Sequence, residues 1–151
     1  MTTYIIEQDI DIDAPVEVVW RTITEPDQIV RWFSDAVDVE ARPGASGTVT
    51  FRGDGSGEPF VVNVAVVAVD RPNRYSFRWS HPSGDSATPA NSTLVTFTLV
   101  ADGAERTRLR VEETGLDNVD WPEERRQDYA DEHRAGWQTL GGRLRDLFTS
   151  A

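Results

Sequence analysis

The chain carries two histidines and 26 acidic residues, and three of these polar side chains continue apolar patterns. His81 continues the alternation Tyr75, Phe77, Trp79, and Glu113 continues Leu109, Val111. His133 stands one helical turn before Trp137. Two imidazoles and a carboxylate can form a metal triad or an acid/base pair. The same three can equally be groups at strand and helix ends, solvated or capping, because parity drifts there. Tyr129, a further helical step back, adds a hydroxyl donor at the same mouth. His81, Glu113 and His133 are therefore the catalytic candidates, and neither a metal site nor a cofactor is expected.

Composition removes other chemistries. There is no cysteine, so disulfides, thiolate metal sites and a thiol nucleophile are excluded. All 15 basic residues are Arg, which leaves no lysine for a Schiff base or a phosphate loop. Gly53-Asp54-Gly55-Ser56-Gly57 has the glycines of such a loop but neither the lysine nor a following helix, and reads as a hairpin turn. No Ser-His-Asp order and no nucleotide fingerprint is present. The formal net charge of -11 repels nucleic acid and anionic lipid, so neither a nucleic-acid nor a membrane partner is expected. Residues 1–13 alternate polar and apolar without a basic start or an apolar stretch, and no apolar run approaches the ~20 residues of a membrane span. A cytoplasmic location is expected, and the Arg bias fits a GC-rich bacterial genome.

The candidate residues need a frame to hold them. Residues 4–13 place Ile6, Ile10 and Ile12 opposite Glu7, Asp9 and Asp11, the period of a half-buried strand. Asp13 is an expected helix cap, Pro15 suits a first turn, and Val16, Val19, Trp20 and Ile23 recur at helical spacing. Pro26 ends that helix, and a second short one is expected over 27–33. Strands are expected over 37–41, 48–52, 60–70, 74–80, 93–101 and 106–113, the last two joined at Asp102-Gly103. Residues 81–91 read as a long loop, mobile surface or a lid. Over 122–149, Tyr129, His133, Trp137, Leu140, Leu144 and Leu147 form one stripe of a long helix with Asp120 as its expected cap. The acidic stretch from Asp117 to Glu132 reads as a solvated helix face or a surface for a basic partner. One α+β domain spanning 1–151 follows, an antiparallel sheet packed on one long helix.

Several of these segments resemble one family. The residues are Ile12-Asp13-Ala14-Pro15-Val16-Glu17-Val18-Val19-Trp20, then Arg31-Trp32-Phe33, then residues 69–79 from Val69-Asp70-Arg71-Pro72-Asn73-Arg74-Tyr75 to Trp79, and finally Gly136-Trp137. They are similar to the branch of the START-like (SRPBCC, Bet v 1-like) superfamily that contains the C-terminal domain of the activator of heat shock protein 90 ATPase. Tyr75 stands where that family has Leu. The resemblance covers nearly the whole chain, and implies a helix-grip fold. In that fold a curved antiparallel sheet of about six to seven strands wraps one long C-terminal helix, with two short helices after strand 1 and an apolar cavity between sheet and helix.

The inward-facing set then has two readings. Trp32, Phe33, Phe51, Tyr75, Phe77, Trp79, Phe97, Tyr129, His133, Trp137 and Leu140 either line a ligand cavity or fill a hydrophobic core. The resemblance favours a cavity near the open end. It implies a protein that binds a small hydrophobic molecule, lipid or polyketide-like. An enzyme of cyclase or hydrolase type using the same cavity is the alternative, with a cochaperone-like, stress-related role as the third reading. The eukaryotic activator has an additional N-terminal domain, so a chaperone partner is not expected here. A homodimer through an exposed sheet edge is compatible with the pattern.

Overall fold

The computed structural model describes residues 4, 6–52, 57–81 and 85–148. The expected turn at 53–57 lies outside them apart from Gly57, as do residues 82–84 of the expected loop and Thr149 at the end of the expected helix. Strand β1 (Ile6–Ile12) is followed by helices α1 (Val16–Thr24) and α2 (Pro26–Ile29). Six strands come next: β2 (Ala36–Asp38), β3 (Ser46–Phe51), β4 (Phe60–Asp70), β5 (Arg74–His81), β6 (Thr93–Ala101) and β7 (Thr107–Thr114). A 3-10 turn at Leu116–Asn118 leads into helix α3 (Glu123–Asp146). All strand pairings are antiparallel, in the order β1-β7-β6-β5-β4-β3-β2. The seven-stranded curved sheet, the long last helix and the two short helices are the helix-grip arrangement.

The elements follow the expected periods where burial decides them. Ile6, Ile10 and Ile12 of β1 are buried, and the alternate acidic residues face outward. There Asp13, Asp11 and Glu7 pair with Arg106, Arg108 and Arg110 of the neighbouring β7 segment at 3.2, 3.2 and 2.6 Å. These exposed pairs fix the register of an edge strand more than they stabilise it.

Helix ends depart from expectation. Neither Asp13 nor Asp120 caps a helix; Pro15 and Pro122 occupy the cap positions without a side-chain bond. Both prolines are extended, with ψ of 150° and 149°, and their carbonyls accept from Val19 and Arg126, at 3.1 Å in each case. The helices therefore begin just after the prolines, and Asp13 is free to pair with Arg106. The second helix is four residues, shorter than expected. Its last carbonyl, on Ile29, accepts from both Trp32 and Phe33 in a tight turn. That turn puts the two aromatic rings under the sheet, and the Trp32 indole donates to the Thr22 carbonyl at 3.0 Å. The strand expected over 37–41 is only β2, three residues long.

Helix α3 approaches β1 closely at one glycine. A Cβ on Gly141 would stand 2.7 Å from Ile10 Cδ1. The 24-residue helix is about 36 Å long at ~1.5 Å per residue, and its backbone lies mainly along β1. Trp137 and Leu144 are buried from the expected stripe, joined by Ala130 and Gly141. Tyr129, His133 and Leu140 are only half-buried. The helix backbone lies on β1 and leaves a gap before β4 and β5, which the half-buried residues border.

Candidate functional site

Three adjacent strands and the helix converge on Glu113. Val111 and Glu113 share the inward face of β7, and Glu113 is 1% exposed. Trp79 on β5 pairs across to Thr93 on β6, on the same face. From α3, Tyr129, His133 and Trp137 follow at four-residue steps, so they stack on one side of the helix. One carboxylate oxygen accepts from the Trp79 indole at 2.9 Å, the Thr93 hydroxyl at 2.6 Å and the Tyr129 hydroxyl at 2.6 Å. The other contacts His133 Nδ1 at 2.8 Å and accepts from the Trp137 indole at 3.0 Å. Five partners saturate a group that burial would otherwise neutralise.

The electrostatics agree with the geometry. Burial pushes the Glu113 carboxyl up. The hydrogen bond from His133, with those from the Thr93 and Tyr129 hydroxyls, outweighs it and holds Glu113 below the usual carboxylate range. The anion is an acceptor only, so the Nδ1 facing it carries the hydrogen. The Tyr129 hydroxyl is driven well above its ordinary value, first by burial and then by the Glu113 charge beside it. Its ring stacks on His133 with centroids 3.7 Å apart, and Trp79 meets the imidazole edge-on at 5.5 Å.

His81 stands apart from this cluster. Ser80, with φ of +71°, is an extra residue in β5: Val64 pairs with Trp79 but the next β4 residue, Asn63, pairs with His81. Two β5 residues therefore answer one β4 step, and the parity count that placed His81 on the Trp79 face is interrupted by the bulge. His81 is buried and makes no hydrogen bond to Glu113 or His133 among the described residues. Burial lowers its pKa, and Asp85, not Glu113, acts in the other direction. Among the described residues, no cluster of three metal-ligating side chains forms.

Beside the Glu113 cluster lies a cavity of about 460 Å³. It is walled by Phe51, Phe60, Val61, Val62, Trp79, Trp121, Tyr129, Trp137 and Leu140, with Asn63, Ser80, His81, Arg125, Glu132, His133 and Gly136 supplying polar atoms and backbone. Of the expected lining, Phe51, Trp79, Tyr129, His133, Trp137 and Leu140 are here. Trp32, Phe33, Tyr75, Phe77 and Phe97 border instead a void of about 30 Å³, the volume of one water in the liquid. These five are core. Phe33 divides the two regions, its ring stacked on Trp79 and Trp137 at 5.8 Å each.

Sequence reasoning missed Phe60 and Val61, 68% and 55% exposed at the rim, together with Trp121, Arg125 and Glu132. Arg125 lies 4.1 Å over the Trp121 ring. The acidic stretch is partly spent within the helix, where Asp131 pairs with Arg134 at 3.1 Å. Thr93 was also missed, although a signal existed. It shares the inward parity of Val95 and Phe97, and an inward Glu113 demands donors.

The comparisons with known proteins agree on the fold. The family model described as "Activator of Hsp90 ATPase homolog 1-like protein" matches residues 13–149. No curated protein matches the chain. Among solved structures, DynU16, a protein in the dynemicin biosynthetic locus, is 26% identical with a TM-score of 0.72. The match covers 97% of this chain but 47% of DynU16, so this chain spans about half its length. MLL2253 from Mesorhizobium loti is 26% identical over 93% of this chain and 95% of its own, with a TM-score of 0.67. The Aha1 dimer from Colwellia psychrerythraea is 18% identical over 98% and 96%, with a TM-score of 0.69. Among the described residues no helix is long and apolar enough to cross a membrane.

Proposed function

We propose, from the premise that this chain belongs to the Activator of Hsp90 ATPase homolog 1-like family, that it binds one small apolar ligand between the sheet and the C-terminal helix. The observation that carries this is the aromatic-walled cavity of about 460 Å³ beside a core that is otherwise filled. Its size falls in the range of small-molecule sites, and its walls are of the type such sites use. The ligand is lipid or polyketide-like; the likeness to a protein of a biosynthetic locus supports the second. A cytoplasmic, bacterial binding protein is the setting this reading assumes. The test is native mass spectrometry of the protein purified from its own host, followed by organic extraction. A stoichiometric apolar compound is expected. A clean apo mass, together with an unchanged melting temperature across apolar compounds, overturns the reading.

One observation favours an enzyme as the second reading. His133 has its Nδ1 fixed by a buried carboxylate, as in sites where an imidazole serves as general base. A cyclase or hydrolase activity on apolar substrates would show a bell-shaped pH–rate profile that collapses in His133→Gln; unaltered turnover removes His133 from the chemistry. A homodimer, as in the Colwellia protein, would use one of the sheet edges, β1 or β2. Sedimentation equilibrium would read it as a doubled mass. The cochaperone-like role keeps only the family name in its support, and an ATPase assay with the chaperone tests it.

A further inference from the structure

The polar groups that ring the cavity divide into spent and unspent ones. The indole N–H groups of Trp79 and Trp137 and the Tyr129 hydroxyl, which line the cavity, and the Thr93 hydroxyl behind them all donate to Glu113. Those hydrogens are not available to a ligand. His133 differs: its Nδ1 edge is turned to Glu113, its ring lines the cavity, and its side chain keeps 23% exposure. Nε2, on the opposite edge, has no hydrogen-bond partner among the described residues. The neutral imidazole, with its one ring hydrogen on Nδ1, presents a lone pair at Nε2.

We propose that His133 is the recognition point for an acidic hydroxyl, a phenol or an enol, carried by the apolar ligand, and that it takes the proton on Nε2 and holds the ligand as the oxyanion. The inference rests on the cavity-binding reading and deepens it. The step balances without a co-reactant. The ligand O–H bond breaks, the pair stays on oxygen, the proton bonds to Nε2, and the imidazolium lies between the ligand oxyanion and Glu113.

Charge explains why a neutral acid suits this site better than a ready-made anion. The charged or titratable groups near the ring are Glu113 from β7, Arg125, Tyr129 and Glu132 along α3, and His81 at the end of β5. Glu113 is buried and anionic, and a ligand arriving as an anion would have to be desolvated beside it. A neutral phenol brings its own proton, so the net charge of the site is unchanged on binding. The transfer then creates a cation between two anions, one of them the buried Glu113, against which the attraction is least screened. The aromatic walls suit the planar body of such a ligand.

The test uses two probes of the same shape, 4-nitro-1-naphthol and 1-nitronaphthalene, with wild type and His133→Gln. The Gln amide can keep a donor toward Glu113. Visible absorbance reads the ionisation of the bound naphthol. The expected result is an acidity constant raised at least tenfold over free dye in wild type and not in His133→Gln, with the substitution weakening 4-nitro-1-naphthol more than it weakens 1-nitronaphthalene. A measurement on wild type needs no variant. The 15N shift of His133 Nε2 should move to the protonated position with the naphthol and stay put with nitronaphthalene. Equal ionisation in both proteins, a bound dye that stays neutral, or an unmoved Nε2 signal overturns the proposal while the cavity reading stands. Failure of both probes to bind wild type overturns the two together.

Discussion

At the scale of the residue, five partners around two carboxylate oxygens make Glu113 the most constrained polar group described in the molecule. Removing a partner from a buried ionic network leaves the others unpaired. Glu113→Gln is therefore expected to lower folding stability by about 3–5 kcal/mol, read by urea unfolding. Acid dependence follows from the depressed carboxyl. Its contribution is full above the unfolded-chain value of about 4.3 and is lost as pH falls through the lower folded value. Below about pH 4 the wild type should lose stability more steeply than Glu113→Gln, and parallel slopes would show that the carboxylate is not held this way. Tyr75 gives the opposite sign. Burial pushes its hydroxyl up to about 12, so stability present below about pH 10 is lost as pH rises toward that value. Tyr75→Phe should remove roughly 2–3 kcal/mol of that alkaline loss, measured by unfolding between neutral and alkaline pH. At this scale the parity of Glu113 and the helical spacing of Tyr129, His133 and Trp137 were legible. The position of His81 was not, because one extra residue at Ser80 breaks the alternation that the count relied on.

Among the elements, α3 carries the most information about how the gap is made. Its glycines act differently according to what lies above them. A Cβ on Gly142 meets nothing within 4 Å, whereas on Gly141 it meets the Ile10 side chain at 2.7 Å. Gly142→Ala is expected to stabilise the protein by about 0.5–1 kcal/mol through helix propensity alone. Gly141→Ala should be destabilising instead. Shortening its neighbour in the Gly141→Ala/Ile10→Val pair should recover part of the loss, since the clashing atom is the one removed. Thermal unfolding of the four proteins decides it, and equal effects at the two glycines would show that α3 does not press on β1 there. The extents of β4 and β6 match their apolar runs residue for residue. Helix starts were less legible, since a proline at the cap position replaces the Asp side chain that the spacing suggested.

At the scale of the whole molecule, the question is why one end of the sheet–helix sandwich is full and the other open. Trp32, Phe77 and Phe97 interdigitate below Phe33, while Trp79 and Trp137 form the floor of the space above it. Gly136 borders that space, and a Cβ there meets nothing within 4 Å. Gly136→Leu should fill part of the cavity without a fold penalty. It should weaken 1-nitronaphthalene binding at least tenfold by calorimetry, with the melting temperature held or raised. Unchanged affinity would place the ligand elsewhere.

Sequence alone carried the strand and helix order, the antiparallel sheet, the buried faces and the exclusion of thiol and lysine chemistry, because these depend on periodicity and composition. It also carried most of the aromatic residues of the core and cavity wall, Phe60 and Trp121 excepted. Their division into core and cavity wall was not there to read, since Phe77 and Trp79 have the same parity on the same strand. Tertiary structure alone separates them. Helix α3 presses on β1 at Gly141 and leaves a cavity between itself and the ends of β4 and β5, so side chains of one pattern meet close packing in one place and open space in another.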